Sequence, residues 1–204
     1  MTVIVVTLDG LSFGMVDVTG KALRGYAHAP GRRRVKVSYA QAASGASIRE
    51  GSANLETTLR PLVDAGEEFE LLAHSQGAEA VGDWLDEYAG RPDAPSPAQL
   101  RRITLIGNPE RRIGGYMGYQ FGKGLIGVKR KPTRETQYRT LDIARERDPF
   151  ANADCWGTDK RSAAARMLAR LTGFGSTHTD YSQVDIDACR VRAVSGNTRY
   201  LVAP

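Results

Sequence analysis

The sequence predicts an α/β fold, with a central, mainly parallel β-sheet flanked by helices. Short runs of apolar, β-branched residues alternate along the chain with stretches of helical periodicity, the order that a parallel sheet with covering helices requires. The first of those runs is apolar without alternation, as expected of a strand buried on both faces. The chain has 204 residues, 41% hydrophobic and 25% charged, enough for one domain, 1–204, with a substantial core. A disordered chain would be poorer in apolar residues, and a membrane-spanning helix would need about 18 of them in a row, which the sequence never offers. It carries no internal repeat, no low-complexity tract and no sign of a second domain.

Residues 2–8 (T-V-I-V-V-T-L) give the first strand, which stops at Asp9-Gly10 and passes into a loop. Residues 35–39 (V-K-V-S-Y) read as the second. Ser52 then caps a helix in which Leu55, Leu59, Leu62 and Val63 recur at helical spacing, and Pro61 predicts a kink or an early end. Residues 69–73 form a third strand. Directly after it, Ala80, Val81, Trp84, Leu85 and Tyr88 line one side of a helix whose Glu79, Asp83, Asp86 and Glu87 point away. Residues 91–97 carry three prolines and end that helix. Residues 102–107 make a fourth strand and 139–144 a fifth. Between them, a basic excursion rich in Gly and Tyr, about residues 108–138, is longer than an ordinary connection and reads as a functional or lid-like insertion. Residues 163–171 are helical by propensity, and residues 191–202, around Ser195-Gly196-Asn197, read as a hairpin or edge strand.

The formal net charge is +5 and the isoelectric point about 9.4. Residues 101–134 hold nine Lys/Arg against one acid, Glu110, a net +8, and the rest of the chain carries −3. The basicity is therefore local. No helix-turn-helix, finger or RNP pattern accompanies it, so no nucleic-acid partner is expected. Cys155 and Cys189 are too few for a disulfide framework or a four-ligand metal site; they are buried thiols or one bridge. The N-terminus has no charged n-region, long apolar core or small-residue cleavage site, so no signal peptide is expected.

The most informative stretch is Glu70-Leu71-Leu72-Ala73-His74-Ser75-Gln76-Gly77-Ala78-Glu79-Ala80. A strand, a small residue, x-Ser-x-Gly and a helix form the pattern of a nucleophile elbow, in which small residues flank the serine because strand and helix nearly touch. The turn presents Ser75 Oγ at the mouth of the sheet and aims the Gln76 backbone N–H at a developing oxyanion. A serine nucleophile needs a base. Of three histidines, His74 is adjacent to the serine, and neighbouring side chains diverge at an elbow. His28 precedes the nucleophile in a Pro/Gly/Arg-rich loop. His178, in Gly175-Ser176-Thr177-His178-Thr179-Asp180-Tyr181, follows the serine in the order that α/β-hydrolases use and is the expected base. The orienting acid falls after a late strand: Asp148 fits best, with Asp154 six residues later and Asp142 inside the strand as the other candidates. The Asp-Pro dipeptide at Asp148 is also a common turn starter. A second oxyanion donor is expected from the loop after the first strand, at the Leu11 or Ser12 N–H.

These residues resemble a family. Tyr39 with the small-residue loop after it, S-I-R-E-G-S-A-N-L at 47–55, A-H-S-Q-G-A at 73–78 and I-G-N-P-E-R-R-I-G-G at 106–115 are similar to the PE-PPE hydrolase domain of mycobacteria. That domain is one of the cutinase-like serine hydrolases, alongside the lysin B esterases of mycobacteriophages. Residues 142–154 resemble the segment that supplies the acid, and G-x-x-H-x-x-Y at 175–181 the segment that supplies the histidine. The resemblance implies a cutinase-like α/β-hydrolase with Ser75, Asp148 and His178 as catalytic triad, Asp154 matching the same acid pattern.

It further implies a serine esterase or lipase that acts by acyl transfer on acyl esters, from short-chain esters to lipids of the mycobacterial envelope, without metal or organic cofactor. Tyr116, Met117, Tyr119, Phe121, Leu125 and Ile126 either line the approach to Ser75 or form a small satellite core under the long loop, and Lys129-Arg130-Lys131 are either a solvated basic face or an attractor of anionic lipid or polymer. Family members carry an N-terminal PE or PPE region for export, and a stand-alone domain without a signal resembles a phage-encoded relative. The expected location is then the cytoplasm until lysis, or a virion, with an ester substrate and an envelope surface or virion as partners. A phage virion or host-surface-binding module that keeps the hydrolase fold is the alternative reading.

Overall fold

The computed structural model describes residues 2–11, 17–115, 131–153 and 177–204. Strands β1 (Val3–Leu8), β2 (Arg32–Lys36), β3 (Phe69–His74), β4 (Leu100–Ile106), β5 (Thr140–Arg145), β6 (Arg190–Ser195) and β7 (Thr198–Ala203) form one sheet in the order β2-β1-β3-β4-β5-β7-β6. Every neighbouring pair is parallel except the terminal hairpin β6–β7. The order reverses between β1 and β3, so the crevice beyond the carboxyl ends of those two strands is the expected place for a ligand.

The apolar runs sort by parity. Ile4, Val6, Leu8, Leu71, Ala73, Ile103 and Leu105 face helices α2 (Gly45–Asp64) and α3 (Gln76–Tyr88), while Val5, Leu72, Ile106, Leu141, Ile143 and Leu201 form the second core on the opposite face. All six residues of β3 are buried. That is the double coverage the unalternating pattern implies.

Three elements differ from the expectation. Strand β2 begins at Arg32, three residues before the apolar V-K-V pattern, because it is the sheet's edge and its cations find acids: Arg32 pairs with Glu70 at 2.8 Å, Arg34 with Asp17 at 2.5 Å and Lys36 with Asp9 at 3.0 Å. A charged edge also deters pairing with other chains. Helix α2 is capped by Ser44, whose hydroxyl accepts the Ser47 N–H at 3.2 Å, and not by Ser52. Gly51 and Ser52 lie buried inside it; a Cβ on Gly51 would sit 3.0 Å from that of Ala80, so these small residues set the approach to α3. The helix ends at Asp64, just after Pro61.

The third difference is a short element that the sequence pattern does not announce, α1 (Val18–Gly25) with the 3-10 turn Tyr26–His28. Leu23 and Arg24 in it are left-handed, at φ 54° and 58°, and their N–H groups donate to the Tyr181 and Ser182 carbonyls, each at 2.9 Å. Tertiary bonds create it. The helix expected at 163–171 lies outside the described residues, as does most of the 108–138 insertion.

Leu55, fully buried between α2 and the sheet, tests the packing: Leu55→Ala should cost about 2–5 kcal/mol of unfolding free energy, read as a lower urea midpoint with an unchanged m-value.

Candidate active site

Strand β3 ends on a turn in which Ser75 adopts φ 53°, ψ −120°, a conformation costly for any residue with a Cβ. The strand ladder holds one side, through Ser75 N–H donating to the Ile106 carbonyl at 3.1 Å. The helix holds the other, through Ala78 and Glu79 N–H donating to the Ser75 carbonyl at 2.9 and 3.2 Å. The turn is tight because β1 passes beneath it. A Cβ on Gly77 would lie 2.5 Å from the Leu8 carbonyl oxygen, and one on Gly10 would lie 2.6 Å from Ser75 Cβ. Only glycine fits at either place.

His178 Nε2 stands 2.8 Å from Ser75 Oγ, and its Nδ1 stands 2.9 and 3.0 Å from the two oxygens of Asp148. All three side chains are buried, with 7% of Ser75 exposed. The Asp148 carboxylate also accepts the Phe150 N–H at 2.8 Å, the Ala151 N–H at 3.0 Å and the Tyr181 O–H at 2.7 Å. It is thus a turn starter and the partner of the imidazole at once. Burial pushes its pKa up, but His178 by charge and hydrogen bond, Ala151 N–H and Tyr181 O–H outweigh burial and hold it below the ordinary carboxylate value. The Phe150 ring covers the imidazole, 4.7 Å between centroids.

The structure separates the alternatives it describes. Asp142 points into the core from β5, where it accepts from Asn108 Nδ2 at 3.0 Å and faces Arg111 at 3.8 Å; burial raises its pKa to about 6 against the pull of Arg111. Asp154 lies outside the described residues. His28 is exposed at the end of the 3-10 turn. His74 points away from Ser75 Oγ, buried, with Nε2 2.8 Å from the His178 carbonyl oxygen. Burial, and then the neighbouring His178, push its pKa down to about 4, so it is neutral.

Gln76 opens α3 and its side chain donates to the Ala42 carbonyl at 2.7 Å, tying the 39–44 loop to the turn. Leu11 follows Gly10, which packs directly against Ser75; Ser12 lies outside the described residues. Tyr39 donates to the Asp9 carbonyl at 2.5 Å, and Asp9 is held through Oδ1 by Thr19 N–H and O–H, each at 2.8 Å. Gly107, at φ 60°, would bring a Cβ within 3.1 Å of the imidazole of His178.

Sequence reasoning missed the parts played by His74, Tyr181 and Gly107, which touch the site only through the fold. The spacing of Tyr181 three residues after His178 was the one available sign. Among the described residues no group of three or more His, Cys, Asp or Glu is arranged to hold a metal, and no helix is long and apolar enough to cross a membrane.

The basic stretch needs correction in part. Arg111 is fully buried beside Asp142, and Arg102 is half-buried near Glu70 at 3.4 Å, so neither contributes to a basic surface. Tyr116, Met117, Tyr119, Phe121, Leu125, Ile126, Lys129 and Arg130 lie outside the described residues, as does Cys155. Cys189 donates its thiol to the Asp185 carbonyl at 3.2 Å.

Comparison with known proteins gives a consistent family. The model of the PE-PPE domain matches residues 26–204. Esterase PE16 of Mycobacterium tuberculosis is 33% identical over 111 residues, which are 52% of this chain and 21% of that protein, so the chain spans about a fifth of that relative. Among solved structures, a cutinase-like protein from Cryptococcus sp. superposes with TM-score 0.55 at 15% identity over 85% of this chain and 91% of its own, which establishes the α/β-hydrolase fold. Lysin B of Mycobacteriophage D29 is 25% identical, with TM-score 0.46 over 56% of this chain and 49% of its own.

The neutral, buried His74 makes stability pH-dependent. Between about pH 6.5 and 4 the unfolded chain takes up a proton at residue 74 that the folded chain refuses, so stability falls with pH, by about 3 kcal/mol over the window. Below about pH 3.9 the stabilisation from ionised Asp148 is lost in turn as pH falls through its depressed folded value. Urea titrations at stepped pH should show the first slope in the native chain and its loss in His74→Gln. Gly77→Ala should cost about 1–3 kcal/mol, because the obstructing atoms are backbone.

Proposed function

This chain belongs to the PE-PPE domain family, and from that premise we propose that it is a serine carboxylic ester hydrolase working through Ser75, His178 and Asp148. The observation that carries the reading is the continuous hydrogen-bonded line from Ser75 Oγ through His178 to Asp148 at 2.8 and 2.9 Å, set at a strained strand-to-helix turn. The esterase name of the M. tuberculosis relative and the cutinase-like fold support the same class.

Ser75 Oγ attacks the ester carbonyl while His178 Nε2 takes its proton. The tetrahedral oxyanion is met by backbone N–H groups at Gln76 and Leu11, the first aligned with the α3 dipole. The imidazole passes the proton to the departing alcohol, leaving an acyl-Ser75. Water, deprotonated by the same nitrogen, then releases the acid. Asp148 keeps the proton on Nδ1, which leaves Nε2 as the acceptor facing Ser75, and stabilises the imidazolium. The chemistry needs no cofactor. Acyl esters are the substrate class, and lipids of the mycobacterial envelope are the particular esters that the family resemblance brings forward. Phe150, packed on the imidazole, supplies one apolar wall suited to an acyl chain.

Fluorophosphonate labelling and hydrolysis of nitrophenyl esters of increasing chain length test this. The native chain should label and turn over, and Ser75→Ala should lose about a thousandfold or more. Asp148→Asn should lose about 10³–10⁴-fold in kcat, against less than about threefold for Asp154→Asn. A native chain that neither labels nor hydrolyses any chain length would remove the enzymatic reading.

A further inference from the structure

We infer that His74 and Tyr181 are positioning residues, two buried side chains that clamp the His178–Asp148 couple from opposite ends and so set the distance from imidazole to nucleophile. The inference deepens the esterase reading and rests on it. His178 lies in a π-helical turn at residues 177–178, outside the strands of the sheet. Two side chains bond the His178–Asp148 couple there. His74 Nε2 lies 2.8 Å from the His178 carbonyl oxygen. That oxygen can only accept, so His74 carries its proton on Nε2. Its Nδ1 is left buried with no hydrogen-bond partner among the described residues.

A histidine costs stability in such a place, where an apolar ring would fill the same volume without an orphaned nitrogen. What offsets the cost is the bond to His178. The sequence position of His74 gives that bond its use. The elbow turns consecutive side chains in different directions, so Ser75 meets the His178 imidazole while His74 holds the His178 backbone. One rigid turn thereby grips the base at two points.

Tyr181 acts on the other end. Its hydroxyl donates to Asp148 Oδ2 at 2.7 Å and accepts the Arg145 N–H at 3.1 Å, and its own carbonyl accepts the Leu23 N–H at 2.9 Å. Arg145 Nη1 adds a bond to the Asp180 carbonyl at 3.0 Å. The phenol therefore locks the carboxylate to the end of β5 and to the histidine segment together. Reacting groups need placement within about half an ångström, and a 1 Å error can cost a hundredfold in rate.

Tyr181→Phe deletes one oxygen, and His74→Phe removes the donor but keeps an aromatic ring. Each should lower kcat for a nitrophenyl ester about tenfold, with KM within about twofold, when rates are normalised to the serines titrated by fluorophosphonate. His74→Gln, whose amide N–H can reach the same carbonyl, should recover most of the loss. Merely structural residues would lower the titratable fraction and the melting temperature while kcat per labelled serine stayed native, and that result overturns the inference while leaving the esterase reading intact. If His74→Phe does not fold, Tyr181→Phe and the Gln variant decide. A native chain with no labelling and no turnover overturns both readings together.

Discussion

The backbone of Ser75 is held in a conformation that costs of the order of 1–3 kcal/mol for a residue with a side chain, and the packing of three parallel strands imposes it. β1 and β4 flank β3, and their registers run to its last residues, Leu8 against Ala73 and Ile106 against His74. The chain can leave β3 for α3 only by turning sharply over the end of β1, where Gly10 and Gly77 remove the side chains that would block it. Nearly every feature of the site follows from this turn. It raises Ser75 Oγ above the sheet, aims the N-terminus of α3 at the same point and sends His74 inward.

The parallel sheet brings the other participants to one edge. β1, β3, β4 and β5 all end on the same side, so Gly10, Ser75, Gly107 and Asp148 share a rim although up to 138 residues separate them. The charged network around β1 and β2 supports that rim from one side. Arg34 pairs with Asp17 and Lys36 with Asp9, the residue that follows β1 and precedes Gly10. From the other side, Asn108, Arg111 and Asp142 form a buried polar group beneath the β4–β5 ends.

Much of the fold was legible because its strands are coloured by burial alone. The runs at β1, β3 and β4 read as buried strands, and the apolar stripe Ala80-Val81-Trp84-Leu85-Tyr88 read as α3. Errors arose where a residue's local meaning differs from its tertiary one. Ser52 has the chemistry of a helix cap, yet it serves as a small residue at the α2–α3 contact. Arg32, Arg33 and Arg34 look like loop, yet an edge strand accepts them because its outer backbone meets water and acids lie within reach. Nothing local marks α1, whose left-handed residues exist to meet the carbonyls of Tyr181 and Ser182.

The sequence by itself determined the class of the fold and singled out Ser75 as the candidate nucleophile, because an elbow is a local object: strand, small residue, serine, glycine and helix are adjacent in the chain, and their sterics are fixed within about ten residues. It also narrowed the base and the acid to a few candidates by order along the chain. Only the tertiary structure decided that Asp148 faces the imidazole while Asp142 faces Arg111. It alone showed that His74 grips the backbone of His178 and that Tyr181 spans to Asp148. Those are contacts between residues about 30 to 100 positions apart, and a distance of 3 Å across such a separation is a property of how strands and loops pack, which no spacing in the sequence encodes.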